Sequence, residues 1–201
     1  MSTYNAIRYN VDYANVGSLK LLSTQTASAS ASVSFTTGID STYDEYWFIF
    51  NNCHPSSDGQ YFTFQGSTNG GSSYGVTMTT TAFQAYHNEA NTDTVLSYAV
   101  SDDLAQSTSY QRITTSIGAD NDQSTSGILK LYNPSSTTYV KHFVDISNGY
   151  NQGDYSVHRF HAGYFNTTSA INAIDFKFAS GNIDDGTIQL FGVKQWVHTM
   201  Q

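Results

Sequence analysis

The sequence reads as an all-β fold, and three observations lead there. Strand-favouring residues dominate: 15 Tyr and 12 Phe in 201 residues, with Ser and Thr filling about 50 positions. Charged residues make up only 12%, and Glu45 and Glu89 are the only glutamates, so no Glu/Lys/Leu/Ala helix can be assembled. Short apolar alternations recur roughly every 8–15 residues with polar loops between them, the rhythm of a sandwich or barrel. No strand–helix–strand alternation interrupts that rhythm. The expected architecture is a jelly-roll-like antiparallel β-sandwich of about nine to eleven strands. Residues 19–201 form its single domain, and residues 1–18 an extended N-terminal arm.

The elements follow in order. Ile7, Tyr9, Val11 and Tyr13 alternate, which suits an extended arm or strand. Leu19 to Leu22 is a short apolar strand. The Ser/Ala tract from Thr24 to Ser34 is low in complexity, and a strand is expected from about Ala29 to Phe35, ended by Gly38. Glu45 to Asn51 is the strongest core segment. Tyr46, Phe48 and Phe50 share one face, while Trp47 and Ile49 share the other. Aromatics on both faces imply burial on both, or a subunit contact on one.

Gln60 to Gln65 and Gly75 to Thr80 flank a loop built on Asn69-Gly70-Gly71, residues that tolerate positive φ. Thr81 to Ala90 and Val95 to Val100 read as strands. Ser101 to Ala105 reads as a capped helical turn with Ser101 or Asp102 as N-cap. Strands then run over Tyr110 to Ile117, Ile128 to Tyr132, Thr138 to Ile146, Tyr155 to Phe165, Ile174 to Phe178 and Gly186 to Val193. Loops lie at Gly118 to Ser126, Asn133 to Ser136 and Gly149 to Asp154, and Asp185-Gly186 is a hairpin signal.

Charge and cysteine narrow the function classes. The net charge is −8 and the 8 basic residues are scattered, which argues against a nucleic-acid backbone partner. No apolar run reaches the roughly 18 residues of a membrane-spanning helix. Cys53 is the only cysteine, so an internal disulfide and a cysteine-based zinc site are both excluded. Met1 to Tyr4 opens without the basic and apolar regions of a secretory signal, so synthesis in a cytoplasm is expected.

Motifs for chemistry fail one after another. Asp120 to Ser124 starts like a calcium loop, but Thr125 and Leu131 stand where an EF-hand needs Gly and Glu. Asp184-Asp185 reads as turn rather than metal site. His158 and His161 lie three apart and face opposite sides of a strand, which works against a zinc site with His142. Glu45, Asp44 and Glu89 are the obvious acid–base carboxylates, but catalysis needs two held across a cleft. No nucleophile elbow, phosphate loop or dinucleotide fingerprint is present. The expectation is no enzyme, no cofactor and no metal.

One resemblance enters at the C-terminal end. Phe178 to Val193 (FASGNIDDGTIQLFGV), with Gly181, Asn182, Asp185 and Gly186 as its turn motif, resembles a segment of tailed-bacteriophage virion proteins. The loop Ser67 to Tyr74 and the run Asn133 to Phe143 are similar to the same group, including cyanophage-like proteins. The resemblance implies a virion structural protein made in the host cytoplasm. A capsid decoration (cement) protein is the first expectation. A tail-fibre or receptor-binding module that recognises host surface carbohydrate is the alternative. Expected partners are other virion proteins and copies of the chain itself, with a trimer favoured by analogy. Tyr4, Ile7, Tyr9, Val11, Tyr13, Trp47 and Ile49 are the contact candidates.

Overall fold

The computed structural model describes residues 19–193. Among them it contains twelve strands and no helix. The strands are β1 (Leu19–Ser30), β2 (Val33–Phe35), β3 (Glu45–Pro55), β4 (Gln60–Ser67), β5 (Met78–Asn88) and β6 (Thr94–Tyr98). They continue as β7 (Gln111–Ile117), β8 (Thr125–Tyr132), β9 (Lys141–Asn151), β10 (Tyr155–Phe165), β11 (Ala173–Phe178) and β12 (Ile183–Val193). Neighbours pair antiparallel throughout. Eight strands run β1-β12-β3-β8-β9-β10-β5-β6, and four run β7-β4-β11-β2. The two runs join where Ile117 pairs with Asn151. At the other end Gln25 of β1 donates through Nε2 to the Ser34 carbonyl of β2 at 3.1 Å. The result is a nearly closed, barrel-like β structure of the sandwich type, as the composition predicts.

Aromatic alternation builds the core between the runs. Tyr46, Phe48 and Phe50 of β3 are fully buried, as are Phe62 and Phe64 of β4 and Phe176 of β11. Phe176 is the hub. Its ring lies 5.5 Å from Phe48, 5.8 Å from Phe62, and 6.3 Å from both Phe35 and Phe64. Offset and edge contacts of this kind add about 0.5–1.5 kcal/mol each beyond burial. Tyr46 keeps its hydroxyl satisfied by donating to the Asp40 carbonyl at 2.9 Å and accepting from the Asp40 amide at 3.0 Å.

Several boundaries differ from the sequence reading, each for a local reason. There are twelve strands where nine to eleven were expected. The Ser/Ala tract continues β1 to Ser30, and Ala29 then turns the chain with φ of 49° so that Val33 and Phe35 enter the core from β2. Gly75 to Thr80 and Thr81 to Ala90 are not two strands. A single β5 begins at Met78 and pairs with β10 along its whole length. Ser101 to Ala105 is no helical turn: Asp102 bonds back to Ala99 at 3.0 Å and sends its carboxylate inward.

Gly149 lies within β9, where a β-carbon would collide with the Ile117 side chain. The β11–β12 turn closes at Gly181, whose φ is 73°, and Asn182, whose amide donates to Ser56 Oγ at 2.8 Å. Asp185 and Gly186 therefore sit inside β12 rather than in a hairpin turn. There the register with β3 shifts, Gly186 adopts φ of 126°, and its α-carbon faces the Cys53 backbone. The glycine serves a bulge and a close approach, not a turn.

Candidate functional site

The outward positions of the eight-stranded run form the most unusual surface of the molecule. Trp47 and Ile49 lie on it, half-buried, between the core residues of β3. The strand register extends each into a row. Ile49 is opposite Ile128 of β8, which is opposite Ile146 of β9, then Phe160 of β10, Phe83 of β5 and Tyr98 of β6. Six adjacent strands thus contribute six large apolar or aromatic side chains to one line. Phe83 is 45% exposed, Tyr98 50% and Ile146 37%. The neighbouring row runs from Leu21 and Phe191 through Trp47 and Lys130 to Val144, Ala162 and Thr81.

Local contacts fix the relief of this face. The Phe83 and Phe160 rings stack at 4.6 Å and 8°, and the His158 ring lies 4.1 Å from Phe160. The Lys130 ammonium sits 4.1 Å over the Trp47 ring, and Trp47 Nε1 donates to Glu45. The tryptophan therefore holds both nearby charges. Beside Val144 and Ala162 the face dips into an open groove of about 410 Å³, walled by Thr79, Thr81, His142 and Tyr164. Small residues make its floor.

The inward side of β9 and β10 holds a polar cluster that no motif announced. Asp145 and His161 are paired residues on adjacent strands, both fully buried at the side chain, with Asp145 Oδ1 3.0 Å from His161 Nδ1. Asp145 Oδ2 and His161 Nε2 have no partner. Burial pushes the Asp145 carboxyl up to about 6, against the opposing pull of His161. Next to them Asp102 pairs with Arg159 and lies 3.5 Å from Arg112. Gln111 Nε2 donates to the Asp102 carbonyl at 2.7 Å, and Thr80 Oγ1 donates to Gln111 Oε1 at 2.7 Å. These bonds clamp the loop after β6 onto β5, β7 and β10.

The remaining sequence candidates separate. His161 faces in, while His142 and His158 face out, as the three-residue spacing predicts. Glu45 is engaged by Trp47, and Glu89 lies in a different surface hollow with His87 and Tyr150. Cys53 is buried, with its thiol pushed up to about 12, so it is no nucleophile. The fold does bring Asp122 together with Asp184 and Asp185, around an open hollow shared with His54. His54 Nδ1 is 3.9 Å from Asp184 Oδ2. Among the described residues no group of three or more His, Cys, Asp or Glu side chains is placed to hold a metal ion. No described helix is long and apolar enough to cross a membrane. The contact candidates Tyr4, Ile7, Tyr9, Val11 and Tyr13 lie outside the described residues.

Of the contact candidates, Trp47 and Ile49 lie on this face, and Phe83, Phe160, Ile128 and Ile146, which the sequence reading does not single out, share it. The signal was present as outward alternation in each strand, for example Val144 and Ile146. Only register could merge the strands into one row. Fold and face together define an all-β, sandwich-type protein with an apolar outer sheet surface. No family model matches the chain, and no curated protein and no solved structure matches it.

Proposed function

We propose that the chain is a non-enzymatic structural protein of a phage virion exterior, a capsid decoration protein, which assembles through the outer face of its eight-stranded run. One observation carries the reading as an assembly protein: the six-strand apolar row from Ile49 to Tyr98. Three of its side chains are exposed and three half-buried, and apolar surface gathered in one row supports a protein contact. The phage setting rests on the resemblance of Phe178 to Val193 and of the two loops. In that setting the protein is made in the host cytoplasm and its partners are other virion proteins. Residues 1–18 supply a second contact by their apolar alternation.

The test is binding to particles that lack the protein. Wild-type protein restores occupancy, while Ile146→Glu with Phe160→Glu, on a chain that still folds, loses it. Full occupancy by that variant would sink the reading. Copy number then assigns the position, because hundreds per particle mean shell and a few mean tail. The stacked Phe83–Phe160 pair beside His158 favours a second reading, a receptor-binding module that stacks on host carbohydrate. Binding of the isolated protein to a glycan array, lost on Phe83→Ala, would support it.

A further inference from the structure

We propose that the partner on the outer face is a second copy of the chain, packed face to face about a two-fold axis that runs along the strands between β8 and β9. The proposal rests on reading this face as a protein contact. It adds the occupant and the geometry.

Three features point to self-pairing. The first is relief. A two-fold axis between β8 and β9 exchanges positions equally far on either side of it. Ile128 then meets the partner's Ile146, and Ile49 meets the partner's Phe160. In the adjacent row Trp47, on the strand beyond β8, meets the partner's Ala162, on the strand beyond β9. The bulkiest outward side chain thus falls on the groove of about 410 Å³ beside Ala162. Each copy carries one large, half-buried aromatic side chain and one recess at equal distance from the axis, the placement an isologous contact requires.

The second is charge. Each copy carries −8, so two copies repel unless acidic groups stay apart. The two rows contain one charged residue, Lys130, held on Trp47, and the nearest acidic group, Glu45 at the row's edge, is bonded to Trp47 Nε1. Asp120, Asp122, Asp154 and Asp184 lie outside the rows, in or beside the connections at the strand ends. The third is size. Eight strands about 4.8 Å apart, with two rows about 7 Å apart, give a projected face on the order of 500 Å². Two copies then bury at most about 1,000 Å², the lower limit for a specific contact. A face that pairs with itself closes at two copies, whereas a trimer needs two different complementary surfaces.

Sedimentation of the full chain from about 1 to about 100 μM tests this, a span suited to a contact near the lower size limit. A concentration-dependent dimer is expected. Ile146→Glu should weaken it at least about tenfold, as should Ala162→Phe, which fills the recess. Trp47→Ala added to Ala162→Phe should restore dimer, because the removed projection leaves room for the new ring. A folding defect would not be rescued by a second truncation on another strand.

A monomer throughout, a trimer, or a dimer indifferent to both Ile146→Glu and Ala162→Phe would each overturn the proposal. The same samples added to particles separate it from the reading beneath it. A wild-type monomer that still docks in an Ile146-dependent way defeats the dimer and leaves the docking face standing. A monomer whose docking ignores these residues defeats both.

Discussion

Asp145→Asn should remove a pH dependence that the wild-type fold carries between about pH 4 and about pH 7. Burial raises the Asp145 carboxyl from its ordinary 3.8 to about 6. A raised carboxyl pKa means the folded state holds the proton more tightly than the unfolded chain does. The stability this contributes is fully present below 3.8 and is lost as pH rises through about 6. A difference of roughly two pH units corresponds to about 3 kcal/mol. Asparagine keeps a side-chain amide able to bond His161 Nδ1 but cannot ionise. Urea unfolding of both proteins in steps from about pH 4 to about pH 7 supplies the two curves. Wild type minus variant should fall by about 3 kcal/mol over that range. Groups with the opposite sign, such as Asp40, whose carboxyl is held low by bonds from Thr42, are common to both proteins and cancel. Parallel curves would refute the claim that an ionised, half-satisfied Asp145 is held in the interior at neutral pH.

Three further outcomes follow from the same geometry. Gly186→Ala forces a β-carbon to 2.7 Å from Cys53 Cα at φ of 126°, so it should cost about 1–3 kcal/mol and lower Tm by several degrees in a thermal melt. An unchanged Tm would mean that the bulge relaxes freely. Phe176→Ala removes the ring that four others touch and should cost about 3–5 kcal/mol in denaturant unfolding, with Phe176→Leu clearly milder. Equal losses would contradict its place as hub. Arg159→Met leaves the buried Asp102 carboxylate with only the more distant Arg112, at 3.5 Å, and should cost up to about 3 kcal/mol, much of it recovered when Asp102→Asn is added. Without recovery in that double variant, the charge pairing is not what the arginine supplies.

How far the sequence alone carries can be traced through particular segments. β3 was legible because Tyr46, Phe48 and Phe50 alternate with Trp47 and Ile49, and a period of two admits no helix. β10 was legible to the residue, since Tyr155 to Phe165 is bounded by turn residues on both sides. The bulge at Gly186 was not, because Asp-Gly has the same composition in a turn and in a bulge. Only the partner strand, where Asn52 also takes φ of 49°, distinguishes them. The Asp145–His161 pair was invisible for a related reason. The two residues are 16 apart and meet only because β9 and β10 form a hairpin in one register. Pairing is a property of two strands, and the period within either one is silent about it.

The two outer faces of the fold supply an internal control on what the apolar rows mean. Outward positions of the β7-β4-β11-β2 run hold Ser34, Thr63, Gln65, Arg112, Asp175 and Lys177, and these are paired or covered. Gln65 Nε2 donates to the carbonyls of Thr108 and Ser109, both at 3.0 Å, and the Tyr110 hydroxyl donates to Asp175 at 2.8 Å. Arg112 lies 4.1 Å over Tyr61, and Lys177 4.0 Å over Tyr110. The loop before β7 thus closes that face with the chain's own atoms. Strand propensity alone would place Val, Ile, Phe and Tyr on both outer faces alike. Instead one face is polar and satisfied from within, while the other carries apolar rows that, among the described residues, stay exposed at Phe83, Tyr98 and Ile146. The asymmetry is hard to derive from folding, because burial in the core is already complete without those side chains. It follows directly if the open face is completed by another protein surface, as the proposed pairing of Trp47 with the Ala162 recess of a second copy would do.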